Sequence, residues 1–130
     1  MVIDSSAIVA IVFEEPEGER FMELALASHR RLVGAVSRLE ADIVVRSRKG
    51  TTGARRLAKF YEEIAITFAD FSSADAAVAF DAWRRYGRGN HPAALNMGDC
   101  CTYALCKRSG EPLLCKGADF AKTDLMIVSA

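Results

Sequence analysis

The sequence has few of the features that assign a chain to a membrane, secreted or strongly charged class. Lys plus Arg and Asp plus Glu each number 17, so the formal net charge is zero. This balance neither suggests nor excludes nucleic acid, because a local basic rim can operate inside a neutral protein. No apolar run approaches the ~20 residues of a membrane span, and the first one is interrupted by Asp4 without a preceding basic segment. We therefore expect a cytoplasmic protein that has no membrane partner.

The cysteine pattern also lacks a recognisable site. The four cysteines are Cys100, Cys101, Cys106 and Cys115, and they show neither CxxC pairs nor histidines at the spacing of zinc ligands. Adjacent Cys100 and Cys101 point to different faces of a helix. We interpret all four as free thiols that pack as small apolar side chains in a reducing compartment.

The order of apolar segments predicts one α/β domain over residues 1–130. The chain has 51% hydrophobic residues, which is ample for a core. Strand-like segments alternate with helical ones, and this order favours a central parallel sheet of four to five strands. The predicted strands are 1–3, 31–35, 64–68, 113–115 and 126–128, with helices over 5–13, 16–28, 37–49, 52–63, 73–87 and 96–109 and a short helix near 117–120.

Several residues mark the expected helix ends. Ser37 and Glu40 form an S-x-x-E pattern that predicts a capping box, and Gly50 is expected to stop that helix. Asn96 is expected to cap a later helix, which places Asp99 in its first turn. At helical spacing, Leu39 and Ile43 share one face of the first of these helices. Ala76, Phe80 and Trp83 share one stripe of a later helix, and Phe80 and Trp83 are expected to be core residues.

Four acidic residues are the most informative feature of the chain. Asp4, Glu40, Asp99 and Asp119 each follow a strand-like segment or open a helix-like one. In a doubly wound α/β protein such positions lie along one rim of the sheet. Each acid taken alone also fits a helix cap or a favourable first-turn charge, but taken together they predict one acidic cleft.

A cleft of carboxylates favours a cation. Two carboxylates 4 Å apart repel by about 4 kcal/mol at an effective dielectric near 20. Such a group must therefore hold protons or bind a hard ion. Oxygen ligands suit Mg²⁺ or Mn²⁺, and the absence of a suitably spaced histidine or cysteine argues against zinc.

Beyond these arguments, the sequence resembles PIN-domain ribonucleases, and in particular the VapC toxins of toxin–antitoxin modules. The resemblance rests on VIDSSAIVAIVFEEPEGERF, the helix start at Ser37 and Glu40, LNMGDCCTYALCK and PLLCKGADFAKTD. It implies a three-layer α/β/α PIN fold and Mg²⁺-dependent hydrolysis of structured RNA such as tRNA or rRNA, which leaves a 5′-phosphate. It also implies a VapB-like antitoxin partner and a homodimer.

The resemblance implies roles for individual residues. Asp4 and Asp99 would be the principal metal ligands, and Glu40 and Asp119 would complete the pocket as catalytic acids. Ser6 would hydrogen-bond within the site, and Asp124 would have an outer supporting role. Two positions depart from the family pattern: Ser5 stands where threonine is common, and Ala118 stands where a polar residue is frequent.

Basic residues near the predicted cleft are candidates for RNA binding. They are Arg85, Arg88, His91 and Lys116, and each can instead be an ordinary surface charge or a complement to a helix dipole. Apolar residues of the first two helices, Phe13, Phe21 and Leu24, are expected to lie in the protein's own core or, as in similar toxins, to meet the antitoxin.

Two other functions remain open at this point. A phospho-acceptor receiver domain is also α/β with acidic strand ends, but it would need paired acids at the first strand, where Asp4 has hydroxyl neighbours. A PIN-like scaffold that binds RNA or protein without cleavage has the same expected fold.

Overall fold

Four short parallel strands form the sheet in the computed structural model, which describes residues 1–128. The strands are β1 (Val2–Ile3), β2 (Leu32–Gly34), β3 (Thr67–Ala69) and β4 (Leu113–Leu114), in the order β3-β2-β1-β4. The predicted strand at 126–128 is reduced to a single parallel bridge between Leu113 and Ile127.

In the part of the chain that the structure describes, five helices cover this sheet. They are α1 (Ser5–Val12), α2 (Gly18–Ala27), α3 (Ala35–Glu63), α4 (Ser73–Tyr86) and α5 (Met97–Ser109), and a short 3₁₀ helix follows at Phe120–Lys122. Within residues 1–128, none of the helices combines the length and the apolar character that a membrane span requires.

The alternation of side chains along the strands creates two cores. Ile3, Val33 and Leu114 pack into the core formed with α1, α2 and α3. The preceding residue of each strand, Val2, Leu32 and Leu113, packs into the core formed with α4 and α5. Because successive strand residues point to opposite faces, the sheet is covered on both sides. The predicted three-layer α/β/α fold with a parallel sheet is confirmed.

The strand order determines where a site can form. The chain runs outward from β1 through β2 to β3 and then returns to β4 on the other side of β1. Ligands of open α/β sheets bind beyond the carboxyl ends of strands at such a change of direction. Asp4 lies directly after β1 and is therefore at this point.

The helix caps differ from expectation at one important place. Asn96 caps α5 as predicted, in a reciprocal capping box with Asp99, and Gly110 ends the helix with a left-handed φ of 71°. The predicted capping box of Ser37 and Glu40 is wrong, because α3 begins at Ala35 and Gly34 is its cap. Ser37 lies inside the helix with a buried hydroxyl, which is free to bond elsewhere.

Leu39 with Ile43, and Phe80 with Trp83, are largely exposed to solvent. Leu39 and Ile43 are 58% and 55% exposed, and Phe80 and Trp83 are 61% and 42% exposed. The rings of Phe80 and Trp83 stack on each other at 6.1 Å between centroids. The buried face of α4 instead carries Ala79, Ala82 and Asp75. The prediction of an aromatic core stripe is wrong, since these small residues face α5.

The apolar residues of the first two helices lie largely in the protein's own core. Phe21 is buried, and Phe13 and Leu24 are half-buried and pack against the same cluster. This agrees with the expectation of self-burial and leaves part of each side chain accessible.

The long helix α3 contains a sharp break at Gly50. This residue has φ 58° and ψ −148°, although the residues on both sides are helical. The predicted helix end at Gly50 is thus confirmed as a break, because α3 consists of two helical segments that meet at this residue. That backbone conformation is almost restricted to glycine, because a Cβ atom would clash with the backbone.

We expect Gly50→Ala to lower the free energy of unfolding by about 1–3 kcal/mol, because alanine would be strained in this conformation. Urea denaturation followed by circular dichroism measures the change. Thr52→Ala is the control, since Thr52 is exposed and helical, and its effect should be within about 0.5 kcal/mol. Equal stability of Gly50→Ala and wild type would show that the kink carries no strain.

Candidate active site

Asp4 is the centre of the candidate site. It directly follows β1, and its N–H donates to the carbonyl of Leu114 at 2.9 Å. The residue as a whole is only 4% exposed. Oδ2 accepts the N–H and the hydroxyl of Ser6 at 3.0 and 2.6 Å, and Oδ1 accepts the hydroxyl of Thr102 at 2.8 Å. The hydrogen bond expected between Ser6 and Asp4 is present. These donors compensate the burial of the carboxylate.

Asp99 enters the site from the first turn of α5. Its Oδ2 accepts the backbone N–H of Asn96 at 3.0 Å, and its own N–H donates to Oδ1 of Asn96 at 2.8 Å. The side chain is half-buried. An acid in the first turn of a helix is favoured by the helix dipole, so the cap also fixes the direction in which Asp99 points.

Glu40 approaches from the second turn of α3 and lies against Gly98. A Cβ atom at Gly98 would be only 2.5 Å from Oε1 of Glu40. Any larger residue at that position would therefore displace the carboxylate. Glycine inside a helix normally lowers stability, and here it leaves room for Glu40 immediately beside Asp99. Sequence reasoning did not assign a role to Gly98.

The pKa values show that the three carboxylates share one electrostatic environment. Burial, followed by the charges of Asp4 and Asp99, raises the pKa of Glu40 from 4.5 to about 7. Burial also raises the pKa of Asp99 from 3.8 to about 6. The hydrogen bond from Asn96 lowers this pKa, whereas the charges of Asp4 and Asp119 raise it further. The structure thus brings Asp4, Glu40 and Asp99 together at the end of β1.

Asp119 lies at the rim of the site. Its side chain is 62% exposed and is 4.0 Å from the ammonium of Lys122. It influences the pKa of Asp99 through its charge. Its exposure leaves it free to turn toward a ligand of the cleft.

Asp124 belongs to a different cluster. Its carboxylate accepts hydrogen bonds from the hydroxyl of Tyr103 at 2.7 Å and from the ammonium of Lys107 at 3.0 Å. It also lies 3.7 Å from the guanidinium of Arg85. These contacts do not support the supporting role expected for Asp124 at the acidic site. They tie the segment after the 3₁₀ helix to α5.

The donor set fits a hydrated hard cation better than a closed metal cage. Within residues 1–128, no three or more His, Cys, Asp or Glu side chains are already arranged to hold a metal ion. Mg²⁺ commonly binds one or two carboxylates and keeps several waters. Asp4 and Asp99 can supply these carboxylates. The neighbouring thiol is a poor ligand, because burial and the charge of Asp99 raise the pKa of Cys100 to about 11.

Lys116 is the basic candidate that lies at the site. Its backbone N–H donates to the hydroxyl of Ser6 at 3.0 Å. Its ammonium, however, pairs with Glu15 and with Glu17, the latter at 2.7 Å. Contact with a phosphate would have to compete with these two carboxylates.

The other basic candidates are engaged elsewhere or simply exposed. Arg85 donates to the hydroxyls of Tyr103 and Tyr86 at 3.2 and 3.0 Å, in the cluster of Asp124. Nδ1 of His91 accepts the N–H of Ala93 at 3.0 Å, and its ring packs edge-on against Tyr86. Arg88 is exposed.

Sequence reasoning gave Thr102 no role and assigned Ser37 only to a helix cap, whereas both hydroxyls lie beneath the acids. Thr102 donates to Asp4, and Oγ of Ser37 lies 3.1 Å from Oγ1 of Thr102. Both are buried. The available signal was their spacing, because each lies three residues from an acid on the same helix.

We expect metal-free protein to lose stability between about pH 4.5 and about pH 7 because of Glu40. Its folded pKa of about 7 exceeds its ordinary value of 4.5. The resulting stabilisation is fully present at pH values below the pKa of Glu40 in the unfolded state. It is lost as the pH rises through the pKa of Glu40 in the folded state. In chelator, wild type should lose on the order of 1–3 kcal/mol more than Glu40→Gln between pH 4.5 and pH 8.

The control for this experiment is Glu62→Gln, since Glu62 is exposed on the same helix. Its unfolding free energy, measured by urea denaturation at each pH, should follow that of wild type. If Glu40→Gln also followed wild type, the carboxylate of Glu40 would not carry a raised pKa.

Sequence comparisons identify relatives along nearly the whole chain. A family model described as PIN domain matches residues 1–125. A Mycolicibacterium smegmatis protein named ribonuclease VapC is 47% identical over 131 residues, covering 98% of this chain and 99% of that protein. A Mycobacterium bovis protein named VapC ribonuclease is 43% identical over 129 residues, covering 99% of this chain and 98% of that protein.

Solved structures agree with this fold. Mycobacterium tuberculosis VapC20, described as a sarcin-ricin loop cleaving toxin, superposes with a TM-score of 0.79 at 13% identity, covering 98% of this chain and 97% of that one. Rickettsia felis VapBC2, bound to a DNA fragment from its promoter, gives a TM-score of 0.78 at 12% identity, with coverages of 98% and 96%. The chain therefore belongs to the PIN-domain family, among the relatives of the VapC ribonucleases.

Proposed function

We propose that the protein is the Mg²⁺- or Mn²⁺-dependent endoribonuclease toxin of a VapBC-type module and hydrolyses phosphodiester bonds of structured RNA. The observation that carries this proposal is the meeting of Asp4, Glu40 and Asp99 at the end of β1, where burial and then the charge of Asp4 raise the pKa values of Glu40 and Asp99. The relatives named VapC ribonucleases support the same activity. A carboxylate cleft is the chemistry that a cation-dependent nuclease needs.

The four acids would have different roles, which follow from their surroundings. Asp4 and Asp99 would hold the cation, with Glu40 and Asp119 completing the pocket. When bound, the cation would promote ionisation of an attacking water and stabilise the charge that develops on the phosphate. Ser6 and Thr102 hold Asp4 in one orientation before substrate arrives. Glu40, whose pKa is about 7, would release a proton when the cation binds.

A groove beside the acids is suited to the RNA backbone. It has a volume of about 270 Å³ and is lined by Ser6, Glu40, Arg48 and Lys116, among others. Arg48 is exposed, so it can reach a phosphate near the acids. Phosphate contacts of this kind position RNA without reading its sequence. The choice of tRNA or rRNA as target follows from the family alone.

A second groove fits an antitoxin segment. It has a volume of about 560 Å³ beside α1 and α2, and its lining combines Glu14, Glu19 and Glu23 with Met22 and Leu26. An amphipathic helix that carries basic and apolar side chains would complement this lining. A VapB-like antitoxin that places such a segment here would neutralise the toxin.

We also propose that the protein is a homodimer. Phe80, Trp83 and Met97 are exposed around an apolar groove of about 370 Å³ between α4 and α5. Contiguous apolar surface of this kind is typical of protein interfaces.

We expect Asp4→Asn and Asp99→Asn to reduce RNA cleavage by at least about 100-fold while the protein remains folded. Loss of a ligand carboxylate weakens the cation and with it the stabilisation of the transition state. Cleavage of total RNA is measured with Mg²⁺, with Mn²⁺ and with chelator, and the chelator should abolish wild-type activity.

Asp42→Asn is the matched control, because Asp42 makes only a weak pair with Arg38 at 3.9 Å on the exposed face of α3. It should cleave as wild type does. Wild-type cleavage by Asp4→Asn or Asp99→Asn, or full activity in chelator, would contradict the proposed mechanism.

We expect expression of the protein alone to arrest growth of a bacterial host, because it would degrade essential RNA. Co-expression of a neighbouring VapB-like reading frame should restore growth, and Asp99→Asn should be harmless without it. Growth curves with protein quantified by immunoblot measure the effect. Normal growth with soluble wild-type protein accumulating would favour a non-cleaving scaffold.

A further inference from the structure

A buried chain of hydrogen bonds runs beneath the acidic site. Thr102 Oγ1 lies 2.8 Å from Asp4 Oδ1, and Ser37 Oγ lies 3.1 Å from Thr102 Oγ1. Asp4, Ser37 and Thr102 are 4%, 3% and 2% exposed. The hydroxyl of Thr102 donates its single proton to Asp4, so it must accept from Ser37. The direction of the chain is therefore fixed.

These hydrogen bonds connect the three elements that position the acids, which are β1, α3 and α5. Ser37 lies on α3, three residues before Glu40, and Thr102 lies on α5, three residues after Asp99. Residues three apart lie on the same side of a helix, about one turn from each other. Glu40 and Asp99 are thus each about one helical turn from the hydroxyl that links their helix to Asp4.

We propose that Ser37 and Thr102 are positioning residues for the nuclease reaction. They hold α3 and α5 at a fixed separation and fix the orientation of the Asp4 carboxylate. Asp4, Glu40 and Asp99 can then present oxygens to the same divalent cation. This inference rests on the proposed function. Partners that orient metal ligands typically change metal affinity or activity by about 10–100-fold when they are removed.

Stability alone does not distinguish positioning from ordinary core packing. Removing the hydroxyl of Thr102 leaves a buried oxygen of Asp4 without its partner, which lowers stability in either case. A positioning role has the additional consequence that cation affinity and kcat fall at temperatures where every variant is folded. It also predicts recovery when only the hydroxyl is restored.

The test compares Thr102→Val, Thr102→Ser and Ser37→Ala with wild type. Valine keeps the shape of threonine without the donor, and serine keeps the donor. Mn²⁺ affinity is measured by titration calorimetry, and kcat and KM are measured on RNA with saturating Mn²⁺. Thr102→Val should weaken Mn²⁺ binding and lower kcat by about 10–100-fold with KM nearly unchanged. Ser37→Ala should give a smaller loss of the same kind, and Thr102→Ser should be close to wild type.

Val45→Ala controls for loss of stability, because Val45 is buried and apolar on α3 and lies in the core of α1, α2 and α3. It should melt lower yet keep wild-type Mn²⁺ affinity and kcat. An equal loss of Mn²⁺ affinity in Val45→Ala would overturn the inference, since any weakening of the core would then suffice. If Thr102→Val does not fold, Ser37→Ala decides the question by the same measurements.

The outcomes separate this inference from the proposed function. A wild-type protein that neither binds Mn²⁺ nor cleaves RNA would overturn the proposed function and the inference together. A wild-type protein that does both, with Thr102→Val and Ser37→Ala unchanged in both, would overturn the inference alone.

Discussion

Burial of the Asp4 carboxylate is the constraint around which this end of the molecule is organised. A charged group at the end of a central strand is costly without partners. Asp4 obtains them from α1 through Ser6 and from α5 through Thr102. The requirement to satisfy one carboxylate thus brings α1 and α5 to the same point, and the hydroxyl of Ser37 joins α3 to them through Thr102.

The same arrangement creates an electrostatic conflict. Glu40 and Asp99 are brought close enough to Asp4 that burial and like charges raise their pKa values to about 7 and about 6. Both raised pKa values lower the stability of the cation-free protein at neutral pH. Such costs are typical of functional sites, where groups are arranged for a ligand rather than for stability. Gly98 is a further example, since a glycine lowers helix stability but leaves the space that Glu40 occupies.

Local sequence patterns were reliable where the chain alone decides the conformation. The caps at Asn96 and Gly110 and the break at Gly50 follow from backbone and side-chain geometry within a few residues. The stripe of Phe80 and Trp83 was misread because periodicity identifies a helix face without saying what covers it. On α4 the alanines face α5, which leaves Phe80 and Trp83 exposed. Ser37 was misassigned because α3 starts two residues before it.

The sequence by itself determined the α/β class, the parallel sheet and the position of Asp4, because alternating apolar segments and an acid after the first strand are local facts. It also identified Glu40 and Asp99 as partners of Asp4. Only the tertiary structure decided that Asp119 lies at the rim, that Asp124 belongs to another cluster, and that Ser37 and Thr102 support Asp4. These contacts join residues distant in the chain, and their geometry depends on how the helices pack on the sheet.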